Sequence, residues 1–255
     1  ISRNRSDLVG KKVYNEYGST LPLLIKYIDA NDALSIQVHP NDELAMKRHS
    51  SLGKTEMWYI MEADGGAQII NGFNQRLDKH DYSAMLSNMG SIFNKEEVKK
   101  GDSVFIPAGT VHAIGKGIML AEIQQCSDVT YRIYDYDRVG DNGNKRELHL
   151  EEASDAIDYK NESSFINKHQ RFGTPKLVDC DYFTTNCIEV NRQVLRDYSE
   201  IDSFVIYMMI EGSASIKTES KQITMRRGEV CFIPACFDYS ILTPSIHSRF
   251  LEVHC

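Results

Sequence analysis

Four polar residues in the N-terminal half have the types and the spacing of an open metal site. Gln37 and His39 are two residues apart in an apolar run. Glu56 stands just before another such run, and His112 follows a Pro-Ala turn. Two-residue spacing on a strand places Gln37 and His39 on one face. Two imidazoles, one carboxylate and one amide oxygen suit a divalent ion of zinc type, so we predict one Zn²⁺ per chain.

The elements that would position these side chains are mainly strands. Short runs rich in Val, Ile, Leu, Phe and Tyr recur along the chain, separated by Gly, Asn, Asp and Pro. This pattern is typical of an antiparallel sandwich or barrel. Apolar residues at helical spacing predict helices at about 81–99 and at about 148–159.

A second strand-rich region repeats the first. Residues 100–114 align without gaps on residues 227–241 and share Gly, an acid and Phe-Ile-Pro-Ala. The pattern resembles a half-motif of cupin barrels. We therefore predict a mainly β fold of two cupin-like jelly-roll or β-barrel units with a small helical insertion. The predicted boundaries are a catalytic unit at 1–160, a linker at 161–174 and a degenerate second unit at 175–255.

The repeat offers an internal control for the predicted metal site. Shifts of 147 and 127 residues carry the four predicted ligands to Thr184, Asn186, Ser203 and Tyr239. None of these residues keeps the ligand type of its counterpart. We expect that one unit holds the metal and that the other is structural.

Composition limits the partners of the chain. The 255 residues carry 29 Lys+Arg against 36 Asp+Glu, a formal charge of −7, which disfavours nucleic acid and anionic membranes as partners. No apolar run approaches the roughly 20 residues of a membrane span. The six cysteines include no C-x-x-C pair, which favours a reduced, cytoplasmic protein.

The sequence closely resembles the type I mannose-6-phosphate isomerases, zinc-dependent cupin enzymes, in their short bacterial form. The motifs that carry the resemblance are Leu34-Ser-Ile-Gln-Val-His-Pro-Asn-Asp42, Gly53-Lys-Thr-Glu-Met-Trp-Tyr59, Pro107-Ala-Gly-Thr-Val-His-Ala113 and Ser127-Asp-Val-Thr-Tyr-Arg132. The resemblance implies the same four zinc ligands and a sugar phosphate substrate, converted between mannose 6-phosphate and fructose 6-phosphate. Family members usually carry a further stretch before the residues that begin this sequence.

Aldose-ketose isomerisation moves a proton between C1 and C2 through a cis-enediolate, so the site needs a proton shuttle and a cation. We predict Lys54 as the shuttle, because it lies two residues before Glu56, and Arg132 as the cation that stabilises the enediolate or steers the anionic substrate. The resemblance supports both positions. Glu122, ten residues after His112, is a candidate for hydrogen bonding to the substrate.

Two other functions remain open at this point. The chain could be another metal-dependent cupin enzyme, such as a dioxygenase or an unrelated sugar-phosphate isomerase, although an amide ligand argues against redox iron. It could also be a non-catalytic, metal-containing sugar-binding cupin. The sequence predicts no oligomeric state.

Overall fold

The computed structural model describes residues 5–18, 20–87, 90–139, 143–160, 165–167 and 176–255, with only the backbone described at 165 and 167. The chain divides into two compact units. The first unit is Leu23–His169, and the second unit is Ile1–Pro22 together with Gln170–Cys255. The sequence prediction had placed residues 1–22 in the first unit. They group with the second unit, where the backbone N–H groups of Lys11 and Lys12 donate to the Asp202 carboxylate.

The chain forms five α-helices and nineteen strands within the residues described. The helices are α1 Arg5–Val9, α2 Lys11–Tyr17, α3 Asp42–His49, α4 Tyr82–Ser87 and α5 Leu150–Ala156. The strands of the first unit are β1 Leu23–Ala30, β2 Ile36–Val38, β3 Glu56–Ala63, β4 Gln68–Phe73, β5 Phe93–Glu97, β6 Ser103–Ile106, β7 His112–Ile114, β8 Ile118–Gln125, β9 Tyr131–Tyr134 and β10 Phe165–Asn167. Those of the second are β11 Lys176–Asp179, β12 Thr184–Val190, β13 Val194–Asp197, β14 Val205–Glu211, β15 Ser213–Lys217, β16 Gln222–Arg226, β17 Val230–Ile233, β18 Tyr239–Pro244 and β19 Ser248–His254.

The first unit is built from two five-stranded antiparallel sheets. Their strand orders are β1-β8-β3-β6-β10 and β5-β4-β7-β2-β9. Alternate residues of both sheets form one apolar cluster that includes Trp58, Ile69 and Leu120. The mainly β prediction with cupin-like units is confirmed.

Helices cover the other face of the second sheet of this unit. Tyr82 and Met85 of α4 and Ala153 of α5 pack in a separate cluster with Ile70 and Ile133 of the sheet. The prediction of a continuous helix at 81–99 was wrong. The helix ends at Ser87, and Phe93–Glu97 is a strand whose side chains alternate between buried and less buried positions. Residues 88 and 89 of the predicted helix lie outside the described residues. The helix predicted at 148–159 is the shorter α5.

The second unit repeats the sheet topology of the first. Its sheets have the orders β11-β12-β19-β14-β17 and β13-β18-β15-β16. In each unit one central strand pairs on one side with the strand of the Phe-Ile-Pro-Ala motif and on the other side with a long strand later in the chain: β3 lies between β6 and β8, and β14 lies between β17 and β19. Strands β12–β19 therefore correspond in order to β1–β8.

This correspondence corrects three of the four residues assigned by the internal control. His112 pairs with Gln37, and its counterpart Tyr239 pairs with Asp197. Glu56 pairs with Ile106, and the counterpart of Ile106, Ile233, pairs with Val205. The counterparts of Gln37, His39 and Glu56 are therefore Asp197, Ser199 and Val205, because strand β12 with Thr184 and Asn186 matches β1 rather than β2. The second unit lacks the His-Glu-His set with this assignment as well.

The segment predicted as a linker at 161–174 contains a strand. Backbone pairing joins Phe165–Asn167 to β6 in the first unit, and the remainder of 161–174 lies outside the described residues. None of the helices in the described part of the chain is long and apolar enough to cross a membrane.

Candidate metal centre

Three cross-strand rows of side chains position the site inside the first unit. The sheet containing β2 supplies the row Asn71, His112, Gln37 and Arg132. The facing sheet supplies the rows Leu24, Gln124, Glu56 and Lys26, Glu122, Trp58. Directly paired residues project to the same face, so each row is a set of neighbours. Beyond these rows, the next inward-facing residues of both sheets, such as Ile60, Leu120 and Ile114, are apolar. The polar side chains of the three rows therefore lie at one end of the interior of the unit.

His39, Glu56 and His112 form a buried group whose potential ligand atoms all lie within 4.8 Å of one another. His39 Nε2 lies 3.5 Å from Glu56 Oε2, and His112 Nε2 lies 3.4 Å from Glu56 Oε1. The three side chains are 0–1% exposed. These are three of the four residues predicted as ligands, brought together from β3, β7 and the end of β2.

Backbone carbonyls orient both imidazoles. His39 Nδ1–H donates to the carbonyl of Val129 at 3.0 Å, and His112 Nδ1–H donates to the carbonyl of Thr110 at 2.9 Å. We assign these tautomers from the acceptors, because a carbonyl oxygen can only accept. In both rings Nε2 then carries a lone pair that faces Glu56. A hydrogen bond on the remote nitrogen is the usual support for a metal-ligating histidine.

Gln37 completes the row beside His112. Its amide nitrogen lies 3.3 Å from His112 Nε2, and its oxygen accepts from Ser35 Oγ at 3.4 Å. The oxygen and nitrogen of an amide are assigned from the hydrogen-bond network, and here the lone pair on His112 Nε2 selects the amide nitrogen as its neighbour. The structure brings Gln37 to the group without placing its oxygen there.

The environment of Glu56 fits a bound cation. Neither carboxylate oxygen accepts a hydrogen bond from a described residue, although both are fully buried. Lys54 Nζ lies 2.9 Å from Oε2, without hydrogen-bond geometry. Burial alone would raise the pKa of Glu56, but the positive charge of Lys54 holds it well below its usual range. The charged carboxylate of Glu56 has four lone pairs that accept no hydrogen bond from a described residue, and each of the two imidazoles offers one more lone pair. Together they form a set of donor atoms that suits a divalent ion.

Burial also keeps the two histidines neutral. Loss of solvation, followed by the charge of Lys54, lowers the pKa of His39 to about 3. Burial lowers the pKa of His112 as well. Neutral imidazole is the form that binds metal.

Lys54 is held at the centre by its backbone. Its N–H donates to the Pro40 carbonyl at 3.1 Å, and the preceding Gly53 N–H donates to Asp42 Oδ1 at 2.7 Å. A Cβ on Gly53 would lie 2.6 Å from the backbone nitrogen of Asp42, so only glycine permits this approach. The Lys54 ammonium donates to His39 Nε2 at 2.9 Å, and the residue is 5% exposed.

Arg132 is the cross-strand partner of Gln37 and therefore lies on the same inner face. Its Nη1 donates to the Glu147 carbonyl at 2.7 Å, while its buried Nε has no hydrogen-bond partner among the described residues. Burial and the neighbouring Arg146 lower the pKa of Arg132. The guanidinium retains donors for a further acceptor.

Glu122 lies in the row next to that of Glu56, and its carboxylate already accepts hydrogen bonds from two other side chains. Lys26 Nζ donates to Oε2 at 2.7 Å, and Trp58 Nε1–H donates to Oε1 at 3.2 Å. Trp58 also contacts the His112 ring edge to face, with centroids 5.6 Å apart. Burial, followed by the charge of Glu56, raises the pKa of Glu122. Lys26 was not predicted from the sequence, although a lysine inside the apolar run 23–28 is a signal that could have identified it.

A cavity of about 600 Å³ lies in the same unit, and its lining includes none of His39, Glu56 and His112. Leu24, from the row of Glu56, and Val129, whose carbonyl binds His39, both line it. Other lining residues are His49, Ser127, Tyr131 and His149. This volume lies within the range of small-molecule sites.

Comparison with known proteins points to one family. Residues 1–59 match the family model "Phosphomannose isomerase type I, catalytic domain", and residues 174–245 match "Mannose-6-phosphate isomerase, cupin domain". The chain is 37% identical over 225 residues to the mannose-6-phosphate isomerase of Streptococcus mutans, covering 86% of this chain and 70% of that protein. It is 36% identical over 224 residues to mannose-6-phosphate isomerase ManA of Bacillus subtilis, covering 85% and 70%. The crystal structure of the mannose 6-phosphate isomerase from Bacillus subtilis superposes with a TM-score of 0.83 at 30% identity, covering 96% of this chain and 81% of that one.

Proposed function

The chain belongs to the type I mannose-6-phosphate isomerase family, and we propose that it interconverts mannose 6-phosphate and fructose 6-phosphate with a zinc ion held by His39, Glu56, His112 and Gln37. The observation that carries the proposal is the buried His39-Glu56-His112 group, in which neither oxygen of Glu56 accepts a hydrogen bond from a described residue. The family is one of sugar phosphate isomerases. The proposal further specifies zinc as the metal and a cis-enediolate as the reaction intermediate.

The reaction requires a proton to leave C2 of the aldose and to arrive at C1. A divalent ion in this site would polarise the two sugar oxygens and stabilise the negative charge that develops on them. Lys54 Nζ lies beside two of the proposed ligands, at 2.9 Å from both His39 Nε2 and Glu56 Oε2. We assign Lys54 the transfer of the proton between the two carbons, because it is the flexible amine nearest to the ligand atoms.

Two further side chains receive roles from their positions. Arg132 faces the site from the row of Gln37 and keeps free donors, so it would bind the anionic substrate or the enediolate oxygen. Glu122 would accept a hydrogen bond from a sugar hydroxyl, since each of its oxygens has bound only one protein donor. The sugar phosphate would enter through the cavity lined by Leu24 and Val129. The absence of C-x-x-C pairs among the cysteines favours the cytoplasm as the compartment.

A coupled assay tests this function. The purified, zinc-loaded chain is given mannose 6-phosphate, and fructose 6-phosphate is measured, with glucose 6-phosphate and unphosphorylated mannose as matched controls. We expect turnover of mannose 6-phosphate alone, with solvent deuterium entering the transferred position in D₂O. Binding of the sugar phosphate without turnover would support the non-catalytic sugar-binding alternative. Oxygen-dependent activity with iron would support another cupin enzyme, and either result would reject the isomerase.

A further inference from the structure

Lys26 lies at the junction of two buried side chains next to the metal centre. It is the cross-strand partner of Glu122 on β1, and its Nζ donates both to Glu122 Oε2 at 2.7 Å and to Gln124 Oε1. Glu122 is 5% exposed, whereas Lys26 is 36% exposed. The Lys26 side chain therefore extends from the partly exposed surface to the Glu122 carboxylate, which is almost inaccessible to solvent.

The partners of Lys26 are themselves fixed by the protein. The Gln124 amide nitrogen donates to the carbonyls of Gln125 and Ser127, both at 2.9 Å, which turns the amide oxygen towards Lys26. On the other side, Glu122 Oε1 accepts from Trp58 Nε1, and the Trp58 ring lies against His112. Lys26 joins these two fixed groups, so its removal would free the orientation of Glu122.

The second unit has a buried carboxylate, Glu252, at the position of Glu122, but the counterpart of Lys26 is Asn186, and the cation, Arg196, comes from β13. Glu252 pairs with Tyr207 as Glu122 pairs with Trp58. Tyr207 O–H donates to Glu252 Oε2 at 2.8 Å, and the Arg196 guanidinium donates to both carboxylate oxygens at 3.0 and 2.6 Å. Asn186 adds a further donor at 3.3 Å. A carboxylate at this place is thus held by a cation and an aromatic donor in both units.

Glu252 and Glu122 differ in how many of their lone pairs remain without a hydrogen bond from the described residues. Arg196 binds Glu252 through two parallel bonds, and with Tyr207 and Asn186 the carboxylate receives four donors, its full capacity. Lys26 is a point charge that makes one bond to Glu122, which with Trp58 receives two. Lys26 therefore holds the Glu122 carboxylate and still leaves it lone pairs for a ligand. Both residues are in the unit that contains the His-Glu-His group.

We propose that Lys26 is a positioning residue that fixes the orientation of the Glu122 carboxylate beside the metal centre and balances its negative charge while leaving it open to the substrate. The proposal rests on the proposed function for its catalytic consequence. The charged groups that act on Glu122 are Glu56, Lys54 and Lys26. Of these, Glu56 disfavours the ionised form of Glu122, and the two lysines favour it. Removal of Lys26 leaves Glu122 closer to its neutral form.

The test uses the single tryptophan as a reporter that needs no turnover. Trp58 donates directly to Glu122, so its fluorescence follows the charge of that carboxylate. Zinc-loaded wild type, Lys26→Met, Lys26→Gln and Lys26→Arg are titrated with pH, with Glu122→Gln to identify the transition due to Glu122. Lys79→Met, which removes a lysine paired with Asp155 at the surface of the same unit, is the matched control.

We expect the Glu122 transition to move up by about 1 pH unit or more in Lys26→Met and Lys26→Gln. It should stay near the wild-type value in Lys26→Arg and Lys79→Met. Lys26→Gln keeps a donor of similar length, so it decides the question if Lys26→Met fails to fold. A transition that remains at the wild-type pH in a folded Lys26→Gln overturns the proposal.

Kinetics supply the second readout. In the isomerase assay, Lys26→Met should lower kcat by about 10-fold to 100-fold with full zinc content, and Lys26→Arg should recover most of it. Unchanged kcat in Lys26→Met would show that Lys26 has no positioning role. If the wild type itself lacks isomerase activity, the proposed function fails while the fluorescence titration still decides how Lys26 acts on Glu122.

Discussion

Lys54 Nζ lies 2.9 Å from Glu56 Oε2 in a part of the first unit where both side chains are nearly inaccessible to solvent. An ammonium this close to a carboxylate without hydrogen-bond geometry is held there by its surroundings, namely the backbone of Gly53 and Lys54 and the ring of His39. The charge balance of Glu56 and the proposed proton transfer would thus both depend on Lys54.

Replacement of Lys54 by alanine should separate metal binding from catalysis. Because Lys54 is the proposed proton shuttle and not a ligand, we expect Lys54→Ala to keep one zinc per chain and to lose about 10²-fold to 10⁴-fold in kcat. Metal analysis and the coupled assay measure the two quantities. Lys99→Ala, at a 79% exposed side chain in the same unit, serves as the control. Near-normal turnover in Lys54→Ala would remove Lys54 from the mechanism.

Gly53 provides a test of how the loop positions Lys54. An alanine Cβ at this position would lie 2.6 Å from the Asp42 backbone nitrogen and would push residues 53–56 away from α3. We expect Gly53→Ala to lower the free energy of unfolding by about 1–3 kcal/mol and to reduce kcat. Gly65→Ala is the matched substitution, since nothing lies within 4 Å of its Cβ. Equal stability and activity of the two variants would contradict this account of the loop.

The buried ion pair of the second unit should be strongly coupled. Arg196→Met leaves Glu252, at 1% exposure, without its cation, which should cost about 3–5 kcal/mol in the free energy of unfolding. Adding Glu252→Gln to that variant should restore part of the loss, because the unpaired buried charge is then removed. Denaturant unfolding of both variants measures this. A loss below about 1 kcal/mol in Arg196→Met would mean that the pair is not energetically coupled.

Asp135 should give the first unit a pH-dependent contribution to stability. Hydrogen bonds from Arg146, and from Arg138, hold the pKa of Asp135 below its usual range. A lowered folded-state pKa means that the contribution is full above the unfolded value of about 3.9 and is lost as the pH falls through the folded value. We expect the stability difference between wild type and Asp135→Asn to be about 1–3 kcal/mol at pH 7 and to shrink below about pH 4. A difference that stays constant from pH 7 to pH 3 would exclude this role.

Periodicity and the internal repeat predicted most of the architecture. The two-residue spacing of Gln37 and His39 is a local feature, so strand geometry alone brings these two side chains to one face. His112 joins them through the pairing of β7 with β2. The helix at 81–99 was overextended because Phe93 fits the helical spacing of Tyr82 and Met85 although it begins a strand. The counterparts Thr184, Asn186 and Ser203 were wrong because a constant shift ignores the different lengths of the connections between strands.

Other features depend on pairing between strands that are distant in sequence. Lys26 and Glu122 are 96 residues apart and become neighbours only through the register of β1 and β8. The carbonyls of Val129 and Thr110 that orient the histidines carry no side-chain signal at all. Such contacts follow from the assembled sheet and not from local sequence.

Reversible removal of the metal from the purified chain tests whether isomerisation depends on an ion bound by His39, Glu56 and His112. The isomerisation of mannose 6-phosphate is measured before chelation, after chelation and after the addition of zinc, in parallel with metal content. We predict that activity decreases as zinc is removed and returns when one zinc ion is bound per chain. A His112→Ala variant should neither bind zinc nor regain activity when zinc is added. Full activity in chelated protein that contains no metal would exclude a metal-dependent isomerase.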